Sequence, residues 1–78
     1  MGLFSNPQKA QKDFFNSIKL VYPKAIYQQN QHNFQITFPD ERVKYALKNI
    51  ESQVSESKYS IGTSLDSPDG SVILFSAK

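Results

Sequence analysis

Apolar residues near the start of the chain recur at the spacing of a helix that buries one face. The stripe comprises Ala10, Phe14, Phe15, Ile18, Val21 and Tyr22. Asn6 is suited to cap such a helix and Pro7 to occupy its first position, since proline lacks only an N–H that would be unpaired there. Pro23 disfavours a helical conformation of the residue before it. The pattern predicts a first helix over residues 7–21.

After Lys24 the pattern changes to the alternation that is typical of strands. A short strand is predicted over residues 25–29 and a polar turn over 30–33. Phe34, Ile36 and Phe38 then alternate with polar residues in a second strand. This segment is predicted to be a β-hairpin.

A second helix is indicated by an apolar residue and three others that follow it four, seven and eleven positions later. They are Val43, Leu47, Ile50 and Val54. The acidic pair Asp40 and Glu41 follows Pro39 and suits the positive end of a helix dipole. The predicted helix runs from about residue 40 to 55.

The last segment is again predicted to be a hairpin. Tyr59, Ile61, Thr63 and Leu65 alternate with small polar residues or glycine. Residues 66–70 supply turn chemistry, and a strand returns over 71–77. Residues 72–75 are apolar at every position, which favours a central strand over an edge strand.

These elements predict a two-layer α+β fold in the order αββαββ, forming a single domain over residues 1–78. Two helices are expected on one face of a four-stranded antiparallel or mixed sheet. The order fits either two tandem αββ units or a permuted ferredoxin-like fold whose first strand has moved to the C-terminus. Besides the inward half of the last strand, the predicted core consists of Ala10, Phe14, Ile18, Val21, Phe34, Ile36, Phe38, Val43, Leu47, Ile50, Val54, Tyr59, Ile61 and Leu65.

Composition argues against catalysis by this chain. It has 78 residues, no cysteine, three glycines and one histidine. Thiolate chemistry and glycine-rich phosphate loops are therefore excluded, and His32 has no carboxylate nearby in the sequence to orient it. We expect no enzymatic activity, no catalytic residue, no cofactor and no metal site.

The charge pattern leaves binding as the expected activity. The net charge is +2, and residues 1–35 carry four lysines against one aspartate. Lys12 and Lys19 should lie on the outer face of the first helix, where they could contact phosphates or an acidic protein. Arg42 is the only arginine among nine basic residues, which argues against sequence-specific recognition of nucleic acid.

Two further surfaces are candidates for contact with a partner. Tyr45 is expected to project away from the core between Lys44 and Lys48, and could anchor an interface. The outer face of the sheet is expected to be open, with Tyr27 as its only aromatic residue, and a homodimer could form through it. The other residues expected there are Gln35, Thr37, Ser60, Gly62, Ser64, Val72 and Leu74.

Together these observations predict a small binding protein of the cytoplasm whose partner is another protein and which makes no membrane contact. The short, cysteine-free chain is rich in lysine, glutamine, asparagine and serine and poor in arginine, a composition that resembles small accessory proteins of bacteria and their mobile elements. A regulatory or inhibitory role is the corresponding expectation. The alternative is a weak nucleic-acid-binding module that uses the lysine face of the first helix.

Overall fold

The computed structural model describes residues 7–30 and 33–78, in which three helices and four strands follow one another along the chain. The elements are α1 (Pro7–Lys19), β1 (Ile26–Gln29), β2 (Asn33–Pro39), α2 (Val43–Asn49), α3 (Glu51–Ser55), β3 (Tyr59–Ser67) and β4 (Gly70–Ala77). The predicted α+β class and element order are confirmed, while Asn6 and His32 lie outside the described residues. None of the helices in these ranges is long and apolar enough to cross a bilayer.

The four strands form one antiparallel sheet in the order β1-β2-β4-β3. The fully apolar strand β4 is central, as its sequence predicts. Moving the first strand of a ferredoxin-like fold to the C-terminus gives this same order, and two αββ units related by a pseudo-twofold axis also give it. The strand order therefore fits both of the predicted arrangements.

The helices cover one face of the sheet, and an aromatic cluster fills the space between the two layers. Phe14 of α1 packs against Phe34, Tyr59 and Phe75, with ring centroids between 5.2 and 5.9 Å apart. Edge-on and offset rings of this kind stabilise a core beyond the area that they bury. The buried apolar residues are Phe14, Ile18, Ala25, Phe34, Ile36, Phe38, Ala46, Ile50, Tyr59, Ile73 and Phe75.

Three residues of the predicted core are exposed instead: Val21, Ile61 and Leu65. Val21 lies beyond the end of α1, in the turn that leads to β1, so the helical spacing no longer applies to it. Ile61 pairs with Phe75 on the helix side but lies on the edge strand β3, and it is 37% exposed. Val43, Leu47 and Val54 are partly buried at the margin of the core.

A β-bulge in β3 explains the position of Leu65. Ile61 pairs with Phe75 and Ser64 with Ile73, so two residues of β3 lie opposite Leu74 alone. The extra residue reverses the alternation that follows, because successive strand residues point to opposite faces. Leu65 therefore lies on the outer face, although the alternation predicts it in the core. Ser64 lies on the helix side, although the alternation predicts it on the outer face.

The single helix expected over residues 40–55 is wrong in two respects. Asp40 has a positive φ of 60° and Arg42 is extended, so α2 begins only at Val43. At Ile50 the backbone leaves the helical range, with φ −109° and ψ 10°, and α3 follows. Ile50 is fully buried at this break. Its N–H still donates a hydrogen bond to the carbonyl of Ala46, and its carbonyl still accepts one from the N–H of Val54.

Tyr27 does not lie on the outer face, where it was expected. It pairs with Ile36, whose side chain is buried under the helices. Its ring lies 5.5 Å from that of Phe15, and its hydroxyl donates a hydrogen bond to Gln11. This bond provides a partner for Gln11, one of only two buried polar residues in the described part of the chain.

Candidate functional site

The start of α2 is held by a residue from a distant strand. The backbone N–H of Val43 donates a hydrogen bond of 2.8 Å to Oδ1 of Asp66 in β3. The first N–H groups of a helix have no partner within the helix, so a carboxylate at this end satisfies one of them and complements the helix dipole. Asp66 thereby fixes α2 against the end of β3.

The inward face of α2 determines where Tyr45 points. Ala46 and Ile50, four residues apart, are fully buried against the sheet. Tyr45 precedes Ala46 by about 100° of helix rotation, and its side chain is 50% exposed. Lys44 and Lys48 are exposed on the same helix. Tyr45 therefore projects away from the core, as predicted.

An open groove of about 590 Å³ lies between α2 and the end of β3. It is lined by Arg42, Val43, Lys44, Tyr45, Leu47 and Asp66. The groove combines an aromatic ring with two partly buried aliphatic side chains and charged groups at its margin. We call this surface the α2–β3 groove.

The charges that line the α2–β3 groove are mainly positive. Arg42 and Lys44 are exposed, and neither forms an ion pair within the described ranges. The Lys44 ammonium lies 5.0 Å from the centroid of the Tyr45 ring, within the range of a cation–π contact. The one carboxylate, Asp66, already accepts the N–H of Val43. The groove is therefore suited to a partner that carries negative charge.

The lysines of α1 are a separate surface. Lys12 and Lys19 are exposed, as predicted, but neither lines the α2–β3 groove. The Lys19 ammonium lies 5.7 Å from the centroid of Phe15, and the nearby Lys9 forms an ion pair of 3.1 Å with Asp13. The structure therefore brings Tyr45 and Lys44 together and leaves the α1 lysines apart from them.

Four of the groove residues were not identified as site residues from the sequence. Val43 and Leu47 belong to the apolar stripe that predicts a buried helix face, and Arg42 was noted only as a lone arginine. Asp66 lies in a segment typical of a turn, 23 residues from its partner Val43. No local signal in the sequence connects these two residues, because their contact depends on the tertiary fold.

A second depression, of about 440 Å³, lies where α1, α3 and the start of β3 meet. Asp13, Glu56 and Tyr59 are among its lining residues. Burial, followed by the charges of Tyr27 and Asp13, raises the pKa of the Tyr59 hydroxyl. No group of three or more potential metal-ligating side chains occurs in residues 7–30 and 33–78. Nothing about this depression indicates a particular ligand.

Comparison with known proteins adds no assignment. No protein family matches the chain, and neither a curated protein nor a solved structure is significantly similar to it.

Proposed function

We propose that this chain is a small binding protein without catalytic activity, and that it contacts another protein through the α2–β3 groove. The observation that carries the proposal is Tyr45, which is half exposed at a groove shared with two unpaired cations and two aliphatic side chains. Tyrosine and arginine are the residues on which interface binding energy most often concentrates. A protein that acts by occupying a partner in this way would serve as a regulatory or inhibitory accessory.

The charges of the groove favour an acidic segment as the part of the partner that binds. Arg42 and Lys44 would pair with its carboxylates, while Val43 and Leu47 would contact an apolar side chain next to them. Arginine forms the stronger of these contacts, because its planar guanidinium can hold a carboxylate with two hydrogen bonds. A chain without cysteine suits a reducing compartment, so we propose that this binding takes place in the cytoplasm.

The test is affinity capture from the native host with two charge-matched double variants of the full chain. Lys44→Glu with Lys48→Glu reverses the charges beside Tyr45, and Lys12→Glu with Lys19→Glu makes the same net change on α1. We expect the α2 pair and Tyr45→Ala to lower recovery of one captured protein about tenfold or more, since anchor residues typically contribute 2 kcal/mol or more. The α1 pair should retain it.

Two results would contradict this proposal. Equal recovery by all variants would show that the groove is not the contact surface. The reverse pattern, with loss only in the α1 pair and binding to a nucleic-acid probe that weakens steeply with salt, would favour the nucleic-acid alternative. Circular dichroism of each variant would show that the fold is retained.

A further inference from the structure

The outer face of the sheet has an apolar row that crosses all four strands. On β2, the buried residues Phe34, Ile36 and Phe38 face the helices, so Thr37 faces outward. The residues that share its row are Ile26 of β1, Val72 of β4 and Leu65 of β3. Ile26 is 57% exposed and Leu65 is 66% exposed. None of the helices in residues 7–30 and 33–78 covers this row.

The next two rows, toward the Asn33 end of β2, are polar or small apart from Leu74 and carry no charge. Leu74 lies in the next row, beside Gln35 and Gln28, whose amides already form a hydrogen bond of 3.2 Å with each other. Asn33, Ser76 and Ser60 form the row beyond. Lysine, arginine, aspartate and glutamate are absent from the outward strand positions that the structure describes.

We propose that this outer sheet face binds a second copy of the chain, so that two sheets pack face to face in a homodimer. The inference is independent of the α2–β3 groove, which lies on the helix side and at the β3 edge. In the dimer each copy would contribute the same apolar row, and the helices of both would remain on the outside. The result would be a four-layer α/β/β/α sandwich.

The lack of charge at the outward strand positions argues for a second copy over a nucleic acid or a charged protein surface. A nucleic acid would need cations to replace its counterions, and the described outward strand positions have none. A charged protein surface would lose its hydration there without gaining an opposite charge. In a twofold dimer the identical surfaces meet each other, so an uncharged face avoids the repulsion that like charges would cause.

The size of the face fits a weak dimer. Four strands spaced about 4.8 Å apart, each with about seven residues rising about 3.4 Å, give a footprint of about 450 Å² per copy. The two copies together would bury about 900 Å², which lies in the size range of weak, transient interfaces. We therefore expect a dimer that dissociates on dilution.

The first experiment measures molar mass by light scattering over concentrations from about 10 to about 300 µM, a range chosen because an interface of this size is expected to be weak. We expect the mass to rise from the monomer value of 8.9 kDa toward twice that value. Leu65→Asp should hold the mass at the monomer value. Leu20→Asp, which changes an 86% exposed leucine away from the sheet, should leave dimerisation unchanged.

The second experiment uses the absence of native cysteine, which makes any introduced thiol unique. Thr37→Cys places a thiol near the centre of the face, where it should form an intermolecular disulfide under mild oxidation, while Lys12→Cys on α1 should not. A monomer at every concentration, a Leu65→Asp variant that still dimerises, or no cross-link through residue 37 would each overturn the proposal. A dimer joined through the β3 edges would give this last result.

The dimer and the α2–β3 groove are tested by different variants, so one proposal can be disproved without the other. Tyr45→Ala should leave the dimer mass unchanged, and Leu65→Asp should leave capture through the α2–β3 groove unchanged. Loss of dimerisation in Tyr45→Ala would show that the two surfaces are not independent and would contradict the face-to-face arrangement.

Discussion

Tyr22 joins three parts of the molecule through a single hydroxyl group. The hydroxyl donates a hydrogen bond of 2.8 Å to Glu41, before α2, and accepts one of 2.8 Å from the side-chain amide of Asn49. Its ring packs edge-on against Phe38, with centroids 5.0 Å apart. The end of α1 is thereby held both to α2 and to the core. A sequence pattern identifies Tyr22 only as the flank of an apolar stripe.

Three tyrosines, two of them partly buried and Tyr59 buried, make the free energy of unfolding fall at alkaline pH. Burial is the main cause that raises the pKa of Tyr22, Tyr27 and Tyr59 above the ordinary value of 10.0. The folded chain therefore holds these protons more tightly than the unfolded chain does. Their stabilising contribution is complete below pH 10.0 and is lost as the pH rises through the folded-state values.

We expect the free energy of unfolding, measured in denaturant, to fall as the pH rises above about 10. Tyr22→Phe removes one of the responsible hydroxyls, so its curve should fall less steeply above this pH. A wild-type stability that stays constant while the tyrosines ionise, or an unchanged slope in Tyr22→Phe, would contradict this account.

Gly70 occupies a position that no other residue can take without strain. Its φ is +149°, and an added Cβ would lie 2.4 Å from the carbonyl oxygen of Phe38 and 2.9 Å from the amide nitrogen of Asp40. Both neighbours are backbone atoms, one at the end of β2 and one in the turn after it, where Asp40 also donates its N–H to the carbonyl of Asp69. The close approach joins this turn to the β3–β4 turn.

Gly70→Ala should lower the free energy of unfolding by about 2–4 kcal/mol, because strain and backbone displacement add together. Gly62→Ala is the matched control, since its nearest contact would be Leu74 O at an ordinary 3.5 Å. The control should change stability by less than about 1 kcal/mol. Equal effects of the two substitutions in chemical denaturation would show that the clash at residue 70 is relieved.

The first turn of α2 depends on Asp66. The residue at the N-cap, Arg42, makes no side-chain hydrogen bond to the helix. The cap is supplied from β3 instead, by Oδ1 of Asp66. The same contact sets one wall of the α2–β3 groove, so the stability of this helix and the shape of the candidate site are linked.

Asp66→Ala should lower the free energy of unfolding by about 1 kcal/mol, the usual cost of losing a helix cap. Asp66→Asn keeps an oxygen acceptor at the same place and should cost less. Amide hydrogen exchange should become faster at Val43 in the alanine variant, before any change in the central strands. Unchanged protection of Val43 in Asp66→Ala would show that the bond contributes nothing.

Local patterns predicted most of the elements because each repeats within one segment. The spacing of Phe14 and Ile18 indicated α1, and the alternation of Phe34, Ile36 and Phe38 indicated β2. The bulge opposite Leu74 was not predictable, since a strand sequence does not show where its partner omits a residue. The outward turn of Leu65 follows from that bulge.

For the whole molecule, the apolar composition of β4 predicted its central place between β2 and β3. The candidate site was predicted in part. Tyr45 and Lys44 are neighbours in sequence, so helix geometry alone places them together. Asp66 reaches the groove only through tertiary folding. The apolar outer row likewise requires the register of all four strands.

The strand order also has a consequence for how the chain folds. Each hairpin, β1 with β2 and β3 with β4, pairs strands that are close in sequence, whereas β2 and β4 come from opposite halves. Closing the long segment between them costs entropy before the central contacts stabilise it. We therefore expect the joining of β2 to β4 to be the slow step. In folding kinetics, changes at Ile36 or Ile73 should slow folding, and changes in the outer strand β1 should mainly speed unfolding.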